Sequence, residues 1–411
     1  MTSNADRNTG ARPATEVGAR PAETLSGPLL LLLASLAALG SLATNIILPA
    51  FPEMSTDLGT SVKDLSATLS TFFVAFAFGQ LFVGPLSDRF GRKWLVLGGL
   101  VTFVAGSALC AFSTTLTELL AGRVIQALGV CATSVLSRAI ARDLFDGAAL
   151  ARALSLTMVA MAAAPGFSPL LGGAINSWLG WRATFAMVAV LAVMLAFFYT
   201  RRLDETHAAD KRSPLSVSAV SASYWQLLRD RRFIAPALSV SLVIGALYAF
   251  FSMAPAILMT GFGFSSFELG LLFASTVFVV FGAGFLAPRL ARRWGHAPMA
   301  RAGILVALAG SIALLAGPGS FYFFAASLTV FLLGMGLVNP LGTAIALQPF
   351  GRQAGAASAL LGFLQMGCAA LASSMAAALD LPAQVSLGII LTASLGMSLF
   401  AFIVLGRSTA P

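Results

Sequence analysis

Twelve apolar runs of membrane-spanning length set what this chain can fold into. A hydrocarbon core about 30 Å thick takes about 20 apolar residues to cross as a helix. Such runs lie at residues 28–50, 67–87, 94–112, 116–137, 154–174, 182–200, 233–257, 268–287, 300–316, 321–346, 355–378 and 384–405. Pro, Gly and charged residues cluster in the breaks between them, where turns are expected. With 58% hydrophobic and 10% charged residues, against about 25% charged in ordinary soluble domains, a soluble fold is disfavoured. The expectation is an all-α integral membrane protein with twelve transmembrane helices.

The charge of +9 fits topology better than nucleic-acid binding in so apolar a chain. An even number of spans puts both termini on one side, and Lys and Arg gather on the cytoplasmic side. With the termini inside, 22 of the 25 basic residues fall in interior segments; Lys63 and Arg182 lie outside and Arg123 lies within a span. Residues 1–27, rich in Ala, Thr, Pro and Arg, read as a disordered cytoplasmic tail, and residues 406–411 as a second cytoplasmic tail. The first apolar run is followed by many others, so it reads as a retained helix and not a signal peptide. Cys110, Cys131 and Cys368 all sit in apolar runs without CxxC spacing or a nearby His, so no disulfide framework and no metal site is expected.

The longest interior loop, residues 201–232, carries seven basic and four acidic side chains. It divides the chain into an N-terminal half, 28–200, and a C-terminal half, 233–405, of six spans each. The halves echo each other. GPLSDRFGRK at residues 84–93 and PRLARRWGHA at residues 288–297 share Leu, Arg, an aromatic and Gly at matched places, offset by 204 residues. Duplication of six helices is the layout of one large transporter class, with a substrate site near mid-membrane between the halves.

Within GPLSDRFGRK, which runs from Gly84, Gly91 permits a tight turn between helices. Asp88 is placed to accept hydrogen bonds from basic side chains or a helix N-terminus. Further on stand RVIQALG from Arg123, APGFSPLLGG from Ala164, LPAFPEM from Leu48, WRATF from Trp181 and AGAASALLGFLQ from Ala354. In these motifs the chain resembles the major facilitator superfamily from Leu29 to Leu405. More narrowly, it resembles the drug:proton antiporters of the bicyclomycin- and chloramphenicol-resistance (Bcr/CflA-type) branch. The resemblance implies two pseudo-symmetric six-helix halves, alternating access, and a bacterial inner membrane with both termini cytoplasmic. It also implies a cytoplasmic gate at Gly84, Asp88, Arg89, Gly91 and Arg92, a role in proton coupling for Arg123, and a helix-5 antiporter motif at Pro165, Gly166, Pro169, Gly172 and Gly173. Proline removes an internal hydrogen bond and glycine removes bulk, so that segment reads as a hinge or seal, or as ordinary close packing.

Arg123 lies about 10 Å below the outer face at 1.5 Å per residue, and a charge at that depth should face a wet or paired interior. Gln126, Thr133 and Ser137 share its side of the helix, a polar stripe suited to a cavity wall. Glu118 is the nearby carboxylate, as a structural or a titrating partner, so Arg123 and Glu118 are the candidates for proton coupling. Asn45 stands where many members of the branch carry an acid. An amide can recognise a substrate but cannot carry a proton. Further lining candidates are Ser241, Tyr248, Ser252, Asn339, Thr343, Ser358 and Gln365, with Met158, Met253, Phe250 and Phe278 as adaptable apolar walls.

A nucleotide-driven pump needs GxxxxGK[ST], and the residues before Lys63, Lys93 and Lys211 are Val62, Arg92 and Asp210. The two histidines, His207 and His296, stand singly in basic loops, without HExxH or GxSxG, which argues against an enzyme. The expectation is a monomeric, cofactor-free exporter of small amphipathic compounds in exchange for protons, embedded in the bilayer and binding neither nucleotide nor nucleic acid. The rival is a proton-independent facilitator or an exporter of a native metabolite.

Overall fold

Capping and turn chemistry decide where the helices of this chain begin and end. The computed structural model describes residues 26–208, 210, 212 and 216–405. Both expected tails lie outside the described residues, apart from 26 and 27. The helices are α1 (Gly27–Asn45), α2 (Phe51–Asp57), α3 (Ala67–Phe90), α4 (Arg92–Phe112), α5 (Leu116–Leu144), α6 (Gly147–Leu179) and α7 (Trp181–Arg202), then α8 (Val217–Arg229), α9 (Arg231–Ala254), α10 (Ser266–Trp294), α11 (His296–Ala316), α12 (Phe321–Leu347), α13 (Ala354–Ala378) and α14 (Ala383–Phe400). Among the described residues twelve helical segments are long and apolar enough to cross a membrane. Only α2 and α8 are short.

α5 and α10 each start on a capping box, Thr115 with Glu118 and Ser265 with Glu268, which satisfies the free N–H groups of a helix start. Gly91 and Gly295 end α3 and α10 in the left-handed region, with φ 93° and 86°, where a Cβ is costly. Several helices run past their apolar stretch: α5 reaches Leu144, α6 begins at Gly147 and α10 reaches Trp294. A change from apolar to charged residues marks the end of the hydrocarbon and does not by itself stop a helix. The 201–232 segment, read as a loop, contains α8, whose Tyr224 hydroxyl donates to the Leu81 carbonyl at 2.9 Å.

The duplication is visible in the packing. Gly99 and Gly106 of α4 lie against the backbone of α5, and Gly303 and Gly310 of α11 lie against the backbone of α12; both pairs keep the offset of 204 residues. Absence of side chains there lets helix backbones approach closely. Between the halves, α3 packs along α13 and α6 along α10. Each contact joins the second span of one half to the fifth of the other, as a pseudo-two-fold axis requires.

Candidate functional site

Between the halves lies a cavity of about 350 Å³, within the size range of small-molecule sites. Its walls come from α1, α3, α5 and α6 on one side and α9, α10, α12 and α13 on the other. Pro165 and Tyr248 lie at mid-depth; Arg138, Thr343 and Leu347 lie towards the helix ends that share a side with the start of α1 at Gly27.

The opposite end is sealed by contacts between the halves. Ser266 Oγ donates to the Pro49 carbonyl at 2.8 Å, and Ser66 Oγ donates to the Ser252 carbonyl at 3.2 Å. Lys63 pairs with Asp380 at 3.3 Å, and the Phe73 and Tyr248 rings stand 4.5 Å apart. The α6–α10 seam completes the seal. A Cβ on Gly173 would lie 2.6 Å from the Ser266 carbonyl oxygen, and one on Gly166 would strike Val277. Pro169 backs the same seam against Gly270, whereas Gly172 faces Ile46 at the end of α1. The helix-5 segment therefore joins the halves through backbone contact, with Pro165 and Gly166 also reaching the cavity.

Of the expected lining residues, Met158, Tyr248, Asn339, Thr343, Ser358 and Gln365 line the cavity. Asn45, Gln126 and Ser252 do not. Asn45 is fully buried with its amide on the Ser41 carbonyl, and Gln126 Nε2 donates to Ser107 Oγ of α4 at 2.8 Å. Ser252 donates to its own helix at Ala249. Ser241 is likewise buried on the Ala237 carbonyl, Phe250 stacks on Phe273, and Phe278 is 70% exposed on the outer surface. Met253 is buried away from the cavity. The stripe of Arg123, Gln126, Thr133 and Ser137 is buried inside the N-terminal half. Its neighbours one residue further on, Ser134 and Arg138, form the cavity face of α5. Arg138 fell beyond the expected end of that span; carrying the helix one turn past its apolar run would have found it.

Arg123 is fully buried. Its Nη1 donates to the Ala43 carbonyl at 3.1 Å and to Gln126 Oε1 at 2.5 Å, and its Nε donates to the Thr68 carbonyl at 3.4 Å. The guanidinium stands 4.3 Å from the Phe72 ring centroid, so a cation–π contact replaces the counter-ion. Among the described residues neither Nη2 nor Asn45 Oδ1 has a hydrogen-bond partner. The expected pairing with Glu118 does not form. Glu118 is exposed and accepts from the Thr114 and Thr115 N–H groups, because the capping box holds it at the helix start.

On the side where α1 begins, Arg92 binds one of the expected gate residues, Asp88, together with Ser87 and Asp143. Its guanidinium donates to Ser87 Oγ, to Asp88 Oδ1 at 2.6 Å and to Asp143 Oδ2 at 3.2 Å. Of the two kinds of partner expected for Asp88, it takes the basic side chain, Arg92, and Glu205 takes the helix N-terminus. It accepts from the Arg92 N–H at 2.8 Å and the Lys93 N–H at 3.3 Å. Burial pushes the Glu205 carboxyl up, but the His207, Arg92 and Lys93 N–H groups and the Arg212 charge outweigh it and hold it below the usual range. Gly91 is required here, since a Cβ would collide with Glu205. Arg89 is exposed over the Phe90 ring, and Gly84 is open to space. These contacts stay within the N-terminal half and the 201–232 segment that follows it.

The model of the Major Facilitator Superfamily matches residues 33–373. The chain is 32% identical over 340 residues to "Uncharacterized MFS-type transporter YdgK" of Bacillus subtilis, covering 82% of this chain and 85% of that one. It is 28% identical to "Multidrug resistance protein D" of Escherichia coli, over 89% of this chain and 92% of the relative. It is 33% identical to "Chloramphenicol resistance protein" of Pseudomonas aeruginosa, over 69% and 67%. Among solved structures, a bacterial homolog of the human lysosomal transporter Spinster, titled inward-facing and occupied, aligns with a TM-score of 0.72 at 17% identity, covering 95% of this chain and 98% of that one.

Proposed function

The chain belongs to the major facilitator superfamily, and from that premise we propose that it exports small amphipathic compounds across a bacterial inner membrane by alternating access. The observation that carries the reading is a cavity crossed at one end by contacts between the halves and lined towards the other, where α1 begins, by Arg138, Thr343 and Leu347. That end holds most of the basic residues, so the positive-inside rule makes it cytoplasmic and the cavity loads from inside. The names of the relatives, multidrug and chloramphenicol resistance, support drug-like cargo. The chain works as a monomer, its site being complete between its own halves.

In the first reading export is exchanged for protons. One proton moved through 100 mV supplies about 2.3 kcal/mol, a roughly fifty-fold gradient. Arg123, with Gln126, ties the sealed ends of α1 and α3 to α5, and the seal opens when those contacts rearrange. A specific observation favours a proton-independent facilitator as the second reading. No carboxylate lines the cavity or touches Arg123 among the described residues.

The test is accumulation of neutral, cationic and anionic drugs in cells expressing the protein, with and without a protonophore. Exclusion that the protonophore abolishes supports exchange; exclusion that survives it supports the second reading. Accumulation equal to that of non-expressing cells for every compound contradicts export.

A further inference from the structure

We infer that the cavity is built to bind an organic anion, with Arg138 as the residue that recognises its negative group. This rests on the reading of the cavity as the transport site. Among the described residues Arg138 is the only ionisable cation on the cavity wall, and no Asp or Glu lines the cavity. It is half-buried, and no hydrogen bond or ion pair occupies its guanidinium among the described residues. The other arginines embedded in the N-terminal half are spent: Arg123 on carbonyls and a ring, Arg92 on two carboxylates. An arginine cannot shed its charge, and one held at a low-dielectric wall without an anion is costly. An incoming carboxylate, sulfonate or phosphate would relieve that cost through paired N–H donors.

A second observation points the same way. Gln80 is 94% removed from solvent, lines the same cavity and makes no side-chain hydrogen bond among the described residues. Its amide lies beside Gly362, where a Cβ would displace it. Gln365, Asn339 and Tyr248 also reach the cavity with no side-chain hydrogen bond among the described residues. The wall thus offers one fixed positive charge and several unused amide and hydroxyl donors. Arg142, one turn beyond Arg138 on the same face, is exposed and adds to the positive field at the mouth. Phe76, Phe251 and Met158 give the cavity apolar surface, so the ligand class is an aromatic or aliphatic acid and not a bare inorganic ion.

The experiment compares 1-naphthoate, 1-naphthamide and 1-naphthylmethylammonium by calorimetric titration of the full-length protein in lipid nanodiscs. Wild type should bind the carboxylate about tenfold or more tightly than the amide, and the ammonium most weakly. Arg138→Gln should erase the preference for carboxylate over amide; a cooperative thermal unfolding transition like that of wild type shows that the variant is folded. Arg138→Lys should keep part of it, since a lysine retains the charge but not the bidentate fork. Carboxylate binding no tighter than amide, binding of none of the three, or a preference that survives Arg138→Gln overturns the inference. Transport in proteoliposomes separates it from the export reading. Arg138-dependent binding without movement leaves the anion site standing and sinks export. Equal movement of amide and carboxylate, with no difference in affinity, leaves export standing and sinks the anion site.

Discussion

Arg123 Nη1 stands 3.1 Å from the Ala43 carbonyl oxygen, so a charged group inside α5 holds the last turn of α1 beside the sealed end of the cavity. Two residues after the end of that turn the chain enters the Leu48–Ala50 segment, whose Pro49 carbonyl accepts from Ser266 of the other half. The buried charge and the seal are joined by a short piece of backbone.

Arg123→Ala leaves the Ala43 and Thr68 carbonyls and Gln126 Oε1 without their donor, at about 1–3 kcal/mol for each buried group left unsatisfied. The expected outcome is loss of gradient-driven export, with a folded protein of lowered Tm in detergent. Retained uphill export in energised vesicles removes Arg123 from coupling.

Gly173→Val places side-chain atoms against the Ser266 backbone. Since overpacking costs about 1–3 kcal/mol, α6 and α10 should separate and the seal should leak. Dye flux through proteoliposomes without a gradient is the readout. A variant as tight as wild type shows that the seam does not hold the seal.

Asp88→Asn should leave stability within about 1 kcal/mol, because the Asp88 side chain is 51% exposed, Asn still offers Arg92 an acceptor oxygen, and the buried Arg92 keeps its pair with Asp143. Transport should nevertheless stall, since the cytoplasmic gate implied by the family resemblance uses Asp88. Thermal unfolding and flux measured on one preparation decide it; unchanged flux removes Asp88 from the gate.

Glu205 gives a pH signature. Its carboxyl is held below the usual range in the folded protein, so the stability it contributes is present above the unfolded value, about 4.3 for Glu. That contribution is lost as pH falls through the lower, folded value. Glu205→Gln should lower Tm at pH 7 and flatten the fall in Tm on acidification below about pH 5. An identical pH profile in wild type and variant contradicts the capping role.

Spans, halves and repeat were legible in the sequence because hydropathy and basic residues report the bilayer directly. The offset between the two interhelical loops reappears in the glycine contacts of α4 and α11. Which face of a helix meets the cavity was not legible. One residue's step around α5, about 100° of turn, separates the buried Thr133 and Ser137 from the cavity-facing Ser134 and Arg138. Pairings across long sequence separations were hidden too. Glu205 caps α4 from 113 residues away, and Glu118 serves its own helix start instead of Arg123.

The most direct measurement is the side from which the cavity can be reached. In a protein with Cys110, Cys131 and Cys368 replaced by Ser, Met158→Cys is labelled with a membrane-impermeant maleimide in inside-out and right-side-out vesicles. The account predicts labelling from the cytoplasmic side and protection from the outside when no substrate is present. Labelling from the outside alone, or equally from both sides, would contradict it.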